Sequence, residues 1–252
     1  DPPYGLGDEP DPADVMRAWA NGMDPDVGGG GFMGEDWDSF VPAPNTFEAV
    51  YSSLLPGAPM LCFAGSRTAD WMGMSLRFAG FERRDTLQYL FGSGFPKSLA
   101  IGKAIDDAKG AEREVVGEHP NPAGNNEGGN SLNMSQEGMP DTASITAPAT
   151  GEAERWDGYG TCLAPAHEPV ILAMKPKDGT FAENALEHGT AGLNIDQARV
   201  ETDEEIPDFD RFDSHGEIEP GGDNPSERTG EGTGQGRWPA NVVLDEAAAE
   251  LV

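Results

Sequence analysis

The sequence predicts an α/β fold: part of a doubly wound sheet, interrupted by one long loop-rich insertion. Two observations lead to this prediction. Segments with helical periodicity alternate with short apolar runs between residues 45 and 91, and another apolar run follows at 168–174. The order helix, strand, helix, strand, strand is that of the second half of a doubly wound sheet.

The first elements follow from local signals. A glycine-, proline- and aspartate-rich stretch covers residues 5–44 and is predicted to be a long loop with one helix near 13–21. Residues 45–55 have an apolar stripe at helical spacing, and Asn45 with Glu48 predicts a capping box at its start. The continuous apolar run at 59–64 predicts a strand that is buried on both faces.

The second half of the sheet is predicted in the same way. Residues 67–79 form an amphipathic helix with Trp71, Met74 and Phe78 on one side, and Gly80 ends it. Strands are predicted at 81–91, 168–174 and 241–244, with a helix starting at residue 245. Between the first two of these strands, a helix begins at Ser98 as its cap and runs to residue 110.

Two segments have the composition of flexible chain. Residues 117–153 are rich in Asn, Gly, Ser, Thr and Pro, and residues 201–236 are acidic and glycine-rich. Both have few large apolar side chains, so little apolar surface is available to offset the entropy of ordering them. We predict that both are poorly ordered.

The charge of the chain is strongly acidic. Its 252 residues include 45 acidic and 16 basic side chains, five of them lysines, for a net charge of -29. Acidic, lysine-poor surfaces suit a protein that works in molar salt, where screening limits self-repulsion to a few ångströms. The acidity therefore predicts a halophilic habitat, and it opposes long-range attraction to nucleic acid only in dilute buffer.

The cysteines and the apolar runs limit the other classes. Cys62 and Cys162 are 100 residues apart without paired spacing, so neither a disulfide framework nor a zinc site is indicated. No apolar run approaches the length of a membrane span and no signal peptide is found. A cytoplasmic protein is expected.

The most informative feature is the opening pentapeptide Asp1-Pro2-Pro3-Tyr4-Gly5. A carboxylate and a backbone carbonyl can accept the two N–H bonds of an exocyclic amine and polarise its nitrogen. The prolines stiffen the turn that aims these acceptors, and Tyr4 offers a face on which an extruded base can stack. Taken alone, the pentapeptide is equally compatible with an ordinary turn.

Other blocks along the chain remove that ambiguity. They are FMGEDWD at 32–38, FAGSRT at 63–68, GSGFPKS at 92–98, WDGYGT at 156–161, HEPVIL at 167–172 and RWPAN at 237–241. In this order, they resemble the phage and prokaryotic site-specific DNA amino-methyltransferases whose catalytic half precedes the cofactor-binding half. The resemblance covers most of the chain.

The resemblance implies a Rossmann-like methyltransferase sheet in which strands 81–91 and 168–174 pair antiparallel. It also implies S-adenosylmethionine as methyl donor and double-stranded DNA as substrate, with residues 1–98 and 166–252 forming the catalytic domain. The inserted residues 99–165 would help to recognise the target sequence. A restriction endonuclease is a further candidate partner.

The resemblance also assigns roles to the motif residues. Asp1 and the Pro2 carbonyl would accept hydrogen bonds from the target amine and border the methyl donor. Pro3 would hold the turn, and Tyr4 would stack on the flipped base. An acidic first residue points to adenine N6, whereas relatives that act on cytosine N4 more often carry serine there, so cytosine stays an alternative.

Five residues are candidates for DNA contact: Trp37, Arg67, Phe95, Lys97 and Arg237. For Trp37, packing against its own loop is an equal alternative, and for Lys97 the alternative is a role at the entry to a helix. Two further classes stay open. One is a DNA-binding module without its own catalysis, as in half of a split enzyme, and the other is a methyltransferase of RNA or protein.

Two departures from the family pattern lead to a further expectation. No strand precedes Asp1, and the family's Phe-x-Gly-x-Gly cofactor loop is not found. The similar strings at 63–66 and 91–94 have the wrong spacing and belong to other parts of the sheet. We therefore expect the chain to be an internal fragment that holds about half of a cofactor pocket.

Overall fold

The computed structural model describes residues 1–5, 7–28, 36–92, 94, 98–118, 144–202 and 236–250. The described helices are α1 (Pro12–Ala20), α2 (Pro44–Ser53), α3 (Ala69–Phe78), α4 (Ile101–Lys109), α5 (Gly151–Arg155), α6 (Phe181–His188) and α7 (Glu246–Ala249). The described strands are β1 (Pro59–Phe63), β2 (Glu82–Leu90), β3 (Val115–Glu118), β4 (Ser144–Thr146), β5 (His167–Met174) and β6 (Val242–Leu244). Two compact units are present: unit 1 comprises Asp1–Gln88 and Pro169–Val243, and unit 2 comprises Tyr89–Glu168 and Leu244–Val252.

The main sheet has four strands in the order β1-β5-β2-β6. β5 runs antiparallel to β1, with Cys62 opposite Ile171. The amide of Phe91, just after β2, donates to the carbonyl of Ala166, just before β5, over 3.1 Å. The end of β2 thus lies beside the start of β5, as in an antiparallel pair. The α/β class is confirmed, and the strands predicted at 81–91 and 168–174 are neighbours that run antiparallel, as expected.

The fourth strand pairs in the other direction. The Gln88 amide donates to the Asn241 carbonyl over 2.8 Å, and the Asp245 amide donates to the Leu90 carbonyl over 3.0 Å. These bonds advance the same way along both strands, as in a parallel pair. Asp245 then caps α7 through the Ala248 amide, so the strand and helix predicted at 241–245 are both confirmed.

β1 differs from its prediction. Its Leu61 side chain is 55% exposed, although a strand buried on both faces was expected. β1 is an edge strand of the described sheet, whereas β5, in the interior, is buried from Val170 to Met174. An apolar run alone does not distinguish the two positions, because burial depends on which strands and helices cover it.

The core of unit 1 is rich in aromatic rings. Asp11 caps α1 by accepting the Ala13 amide over 2.9 Å, and the buried face of this helix includes Trp19. The Trp19 and Phe40 rings lie 5.8 and 5.7 Å from the ring of Trp71 on α3. Edge-on aromatic contacts of this kind stabilise a core beyond simple area burial. The cluster joins α1, α3 and the segment around Phe40 that precedes α2.

The buried side of α3 was predicted in part only. Trp71 is buried as expected, but Met72 and Leu76 are also buried, while Phe78 is 38% exposed. The side of α3 that carries Gly73 faces Ile171 of β5. Apolar residues occur on several sides of this helix, so periodicity did not identify the side that faces the sheet. Gly80, with φ +97°, follows the helix as predicted.

Four helix starts were wrong or missed, and one of them is that of α5, which was not predicted. α2 begins at Pro44 without a side-chain cap, and Asn45 donates instead to Asp24 over 3.2 Å. α4 is preceded by Ala100 rather than capped by Ser98, whose hydroxyl accepts the Cys162 amide. α6 was not predicted, although Thr180 and Glu183 form a capping box at its start. Proline presets φ at a first helical position, which explains α2.

Unit 2 is organised around a buried ion pair. Arg113 donates to Asp106 of α4 over 2.5 Å and to the Thr146 hydroxyl at the end of β4 over 2.9 Å. Asp106 also accepts the Ala149 amide and the Thr150 hydroxyl. Strands β3 and β4 pair antiparallel and were not predicted. The prediction that 117–153 is poorly ordered was wrong for residues 144–153, which include β4 and the start of α5. Residues 119–143 and 203–235, most of the two segments so predicted, lie outside the described residues.

We expect Asp106 to make unit 2 sensitive to acid. Burial raises the pKa of Asp106, but the hydrogen bonds from Ala149 and Thr150 and the Arg113 ion pair outweigh burial and hold the pKa below 3.8. A lowered folded pKa means that this stabilisation is complete above pH 3.8 and is lost as the pH falls through the folded value. Thermal melts of Asp106→Asn and wild type between pH 7 and 2.5 should therefore converge at the acid end. A difference in melting temperature that does not change with pH would contradict this prediction.

Candidate active site

The motif Asp1–Gly5 lies in unit 1, where burial increases along it: Asp1 is exposed, residues 2–4 are half-buried and Gly5 is buried. The carbonyl of Tyr4 accepts a hydrogen bond from the Thr68 hydroxyl. Thr68 ends the turn between β1 and α3 and is only 4% exposed. The motif is therefore attached to the end of β1, and the FAGSRT block contributes the attachment.

A second contact comes from the FMGEDWD block. The amide of Gly5 donates to Asp38 Oδ1 over 2.9 Å, and Asp38 is 3% exposed at the end of a 3₁₀ turn (Asp36–Asp38). Gly5 has φ +72°, and a Cβ there would lie 2.9 Å from the Val41 nitrogen. Only glycine suits this position, because both its conformation and the close backbone oppose a side chain.

Arg67 contacts the same loop. Its Nη2 donates to the Gly7 carbonyl over 2.9 Å and lies 3.5 Å from the Gly5 carbonyl. The side chain thus has a structural partner in the motif loop, and its contact with DNA stays a prediction. Further along, Glu9 accepts the Trp71 indole N–H over 2.8 Å, which joins the loop to α3.

The ring of Tyr4 packs beside the turn after β1. A Cβ at Gly65 would lie 3.3 Å from the Tyr4 Cβ and 3.7 Å from its Cδ2. The absence of a side chain at Gly65 makes room for the tyrosine. Tyr4 is half-buried, so its ring is supported on one side by the turn while part of its surface faces solvent.

Trp37 lies next to the buried Asp38 but is itself 63% exposed. Its neighbour Asp38 accepts the Gly5 amide, so Trp37 is adjacent in sequence to a residue that contacts the motif. Both alternatives for Trp37, contact with DNA and packing against its own loop, stay predictions.

The remaining candidates are not brought to the motif by any described contact. Phe95 and Lys97 lie outside the described residues. Arg237 is exposed, and its backbone pairs with that of Val200 over 2.8 and 3.1 Å in unit 1. The adjacent Trp238 ring lies under the guanidinium of Arg199, 5.3 Å from its centroid.

In unit 2 the structure joins two blocks that are about 60 residues apart. The Ile101 amide donates to the Tyr159 carbonyl over 3.0 Å, and the Leu99 amide donates to the Thr161 hydroxyl over 3.0 Å. The rings of Trp156 and Tyr159 meet edge-on at 5.2 Å, and both are substantially exposed. The insertion thus presents two neighbouring, exposed aromatic rings.

The motif provides acceptors that suit part of a methyl donor. A carboxylate and backbone carbonyls complement the positive sulfonium and ammonium groups of S-adenosylmethionine. Asp1 and Pro2 are the residues of this chain that would border that end of the molecule. Within the described part of the chain, no group of three or more His, Cys, Asp and Glu side chains could hold a metal ion.

We expect the two cysteines to differ in reactivity. Burial raises the pKa of the Cys62 thiol to about 11, whereas Cys162 is exposed. Because the thiolate is the reactive form, iodoacetamide at pH 8 should modify Cys162 in the native protein and both cysteines after unfolding. Peptide mass spectrometry checks this result. Rapid native labelling of Cys62 would contradict the burial of β1's inner face.

No protein-family model matches the chain, and no curated protein or solved structure is significantly similar to it. No helix among the described residues is long and apolar enough to cross a bilayer.

Proposed function

We propose that this protein is an S-adenosylmethionine-dependent methyltransferase. Its substrate within that class is double-stranded DNA, and the acceptor is the N6 amine of a flipped adenine. The observation that carries the proposal is the motif Asp1–Tyr4, held by its last residues against the turn that follows β1. The carboxylate and the backbone carbonyl of this turn are suited to accept both N–H groups of an exocyclic amine.

The sheet order supports the same class. β5 lies between β1 and β2 and runs antiparallel to β1. The resemblance implies a reversed final hairpin, in which the strands at 81–91 and 168–174 pair antiparallel. β1 then ends beside the motif, and in open α/β sheets ligands bind outside the carboxyl ends of the strands.

Each residue of the motif has a separate role in the proposed reaction. Asp1 and the Pro2 carbonyl accept the two amine hydrogens and draw the nitrogen out of conjugation with the ring, which frees its lone pair. Tyr4 stacks on the extruded base and holds it in place. S-adenosylmethionine supplies an electrophilic methyl group on a positively charged sulfur.

The reaction balances without a covalent enzyme intermediate. The amine nitrogen forms a bond to the methyl carbon as the carbon–sulfur bond breaks, and the sulfonium becomes a neutral thioether. The nitrogen then loses one proton to solvent. No cysteine nucleophile is required, in agreement with the high pKa of Cys62, about 11.

The acidic composition fits this substrate in concentrated salt. At a net charge of -29, the protein repels phosphates in dilute buffer, but screening at about 1 M salt confines that repulsion to about 3 Å. Binding then depends on stacking, base contacts and local arginines rather than on counterion release. We propose a halophilic, cytoplasmic setting, and the assay is designed for about 2–3 M KCl.

The test uses the full protein with methyl-labelled S-adenosylmethionine and duplex DNA in high salt. Digestion to nucleosides identifies the product, and N6-methyladenine supports the proposal. N4-methylcytosine would keep the class and change the base. Transfer to RNA or protein in preference to DNA would replace the substrate, and duplex binding without transfer would indicate a non-catalytic DNA-binding module.

A further inference from the structure

We propose that Asp38 and Thr68 form a peptide clamp that positions Asp1 and Tyr4 for methyl transfer. The peptide clamp consists of these two side chains and the single peptide bond between Tyr4 and Gly5. The inference rests on the proposed function, because it assigns positioning residues to the same site.

Both polar groups of one peptide bond are held by buried side chains. The carbonyl of Tyr4 accepts from the Thr68 hydroxyl, and the N–H of Gly5, in the same peptide unit, donates to Asp38 over 2.9 Å. Because the peptide unit is planar, these two bonds together define the orientation of the plane. That orientation sets ψ of Tyr4, and hence the direction of the chain that carries Asp1.

Gly5 is the reason that such a clamp is needed. Its φ of +72° lies in a region that glycine enters without a steric penalty. Glycine also permits the alternative orientation of the preceding peptide plane, so local sterics alone do not select one. The clamp supplies the selection through side chains that are 33 and 64 residues away.

The two anchors are themselves fixed. The Thr68 amide donates to the Gly65 carbonyl over 3.1 Å, and its carbonyl accepts the Met72 amide over 3.0 Å at the start of α3. Asp38 ends a turn in which the Ser39 hydroxyl donates to the Asp36 carbonyl over 2.6 Å. Neither anchor can follow a movement of the motif without disturbing the turn or helix that carries it.

Three variants and a control separate positioning from general stability. Thr68→Val removes the hydroxyl at constant shape, and Thr68→Ser keeps it. Asp38→Ala removes the acceptor for Gly5. Ser75→Ala is the matched control, because Ser75 is fully buried in the same unit and donates to the Pro42 carbonyl over 2.6 Å without contacting the motif.

We expect Thr68→Val and Asp38→Ala to reduce kcat by about 10- to 100-fold, since a displacement of about 1 Å at a reacting group has effects of that size. The KM for S-adenosylmethionine should change far less, and Thr68→Ser should restore most of kcat. Ser75→Ala should lower the melting temperature while kcat stays near wild type. Equal loss of kcat in Ser75→Ala, or wild-type kcat in Thr68→Val, would overturn the positioning role.

Hydrogen exchange at the Gly5 amide tests the clamp without any activity assay. The wild-type amide should exchange slowly, and both Asp38→Ala and Thr68→Val should accelerate its exchange while leaving core amides protected. An unprotected Gly5 amide in the wild type would overturn the clamp itself. If the Gly5 amide is protected but the wild-type protein transfers no methyl group, the clamp is present and the proposed function is wrong. The positioning role would then be wrong as well.

Discussion

Asp1→Ala is expected to reduce methyl transfer to background, a loss of at least about 100-fold relative to the wild-type protein. The carboxylate is the only charged acceptor in the motif, and losing one preorganised hydrogen-bonding group at a reacting centre costs about 10²- to 10³-fold. The measurement is single-turnover transfer of labelled methyl to duplex DNA in high salt. Circular dichroism should be unchanged, because Asp1 is exposed.

Asp8→Ala is the matched control for this prediction. Asp8 is an exposed carboxylate a few residues further along the same loop, so its removal changes the net charge by the same amount. We expect it to keep transfer within about twofold, since isolated exposed charges contribute little. Appreciable turnover by Asp1→Ala would contradict the proposed role of this carboxylate. Equal losses of transfer in the two variants would show that the effect depends on net charge and not on the position of Asp1.

Met72→Ala is expected to destabilise unit 1 by about 2–5 kcal/mol, the usual cost of truncating a large buried side chain. Met72 is fully buried on α3, within the core cluster that includes Ile171 of β5. Denaturant unfolding followed by tryptophan fluorescence reports on this core, because Trp19 and Trp71 belong to it.

Met23→Ala makes the same chemical change at a side chain that is 57% exposed. We expect less than about 0.5 kcal/mol from it, as for most surface substitutions. Similar losses in the two methionine variants would show that α3 does not pack on the sheet as described.

Signals that act over a few residues predicted their elements well. Asp245 begins α7, and glycines at 80 and 110 with positive φ follow α3 and α4. α6 could have been found in the same way, because Thr180 and Glu183 have capping-box spacing. Where two local signals competed, the prediction failed: Pro44 started α2 one residue before Asn45 could cap it.

The sequence alone indicated the motif residues of the candidate site, but it did not indicate the residues that hold the motif in place. The chemistry of Asp1, Pro2 and Tyr4 can be read from residue types alone, and the FMGEDWD and FAGSRT blocks were recognised as part of the pattern. That Asp38 and Thr68 hold one peptide bond could not be predicted, because those contacts join residues 33 and 64 positions apart. The contacts of Arg67 with backbone carbonyls of the motif loop could not be predicted either, because they join residues 60 and 62 positions apart.

By itself, the sequence determined the α/β class, most helices and strands, and the residue types of the motif, since caps, turns and periodicity depend on near neighbours. Only the tertiary structure decided the strand order, the exposed position of β1 with Leu61, the buried side of α3 and the clamp on the Tyr4–Gly5 peptide. Each of these depends on which distant segments exclude water from a side chain, and that choice is made by packing across the whole unit rather than by local preference.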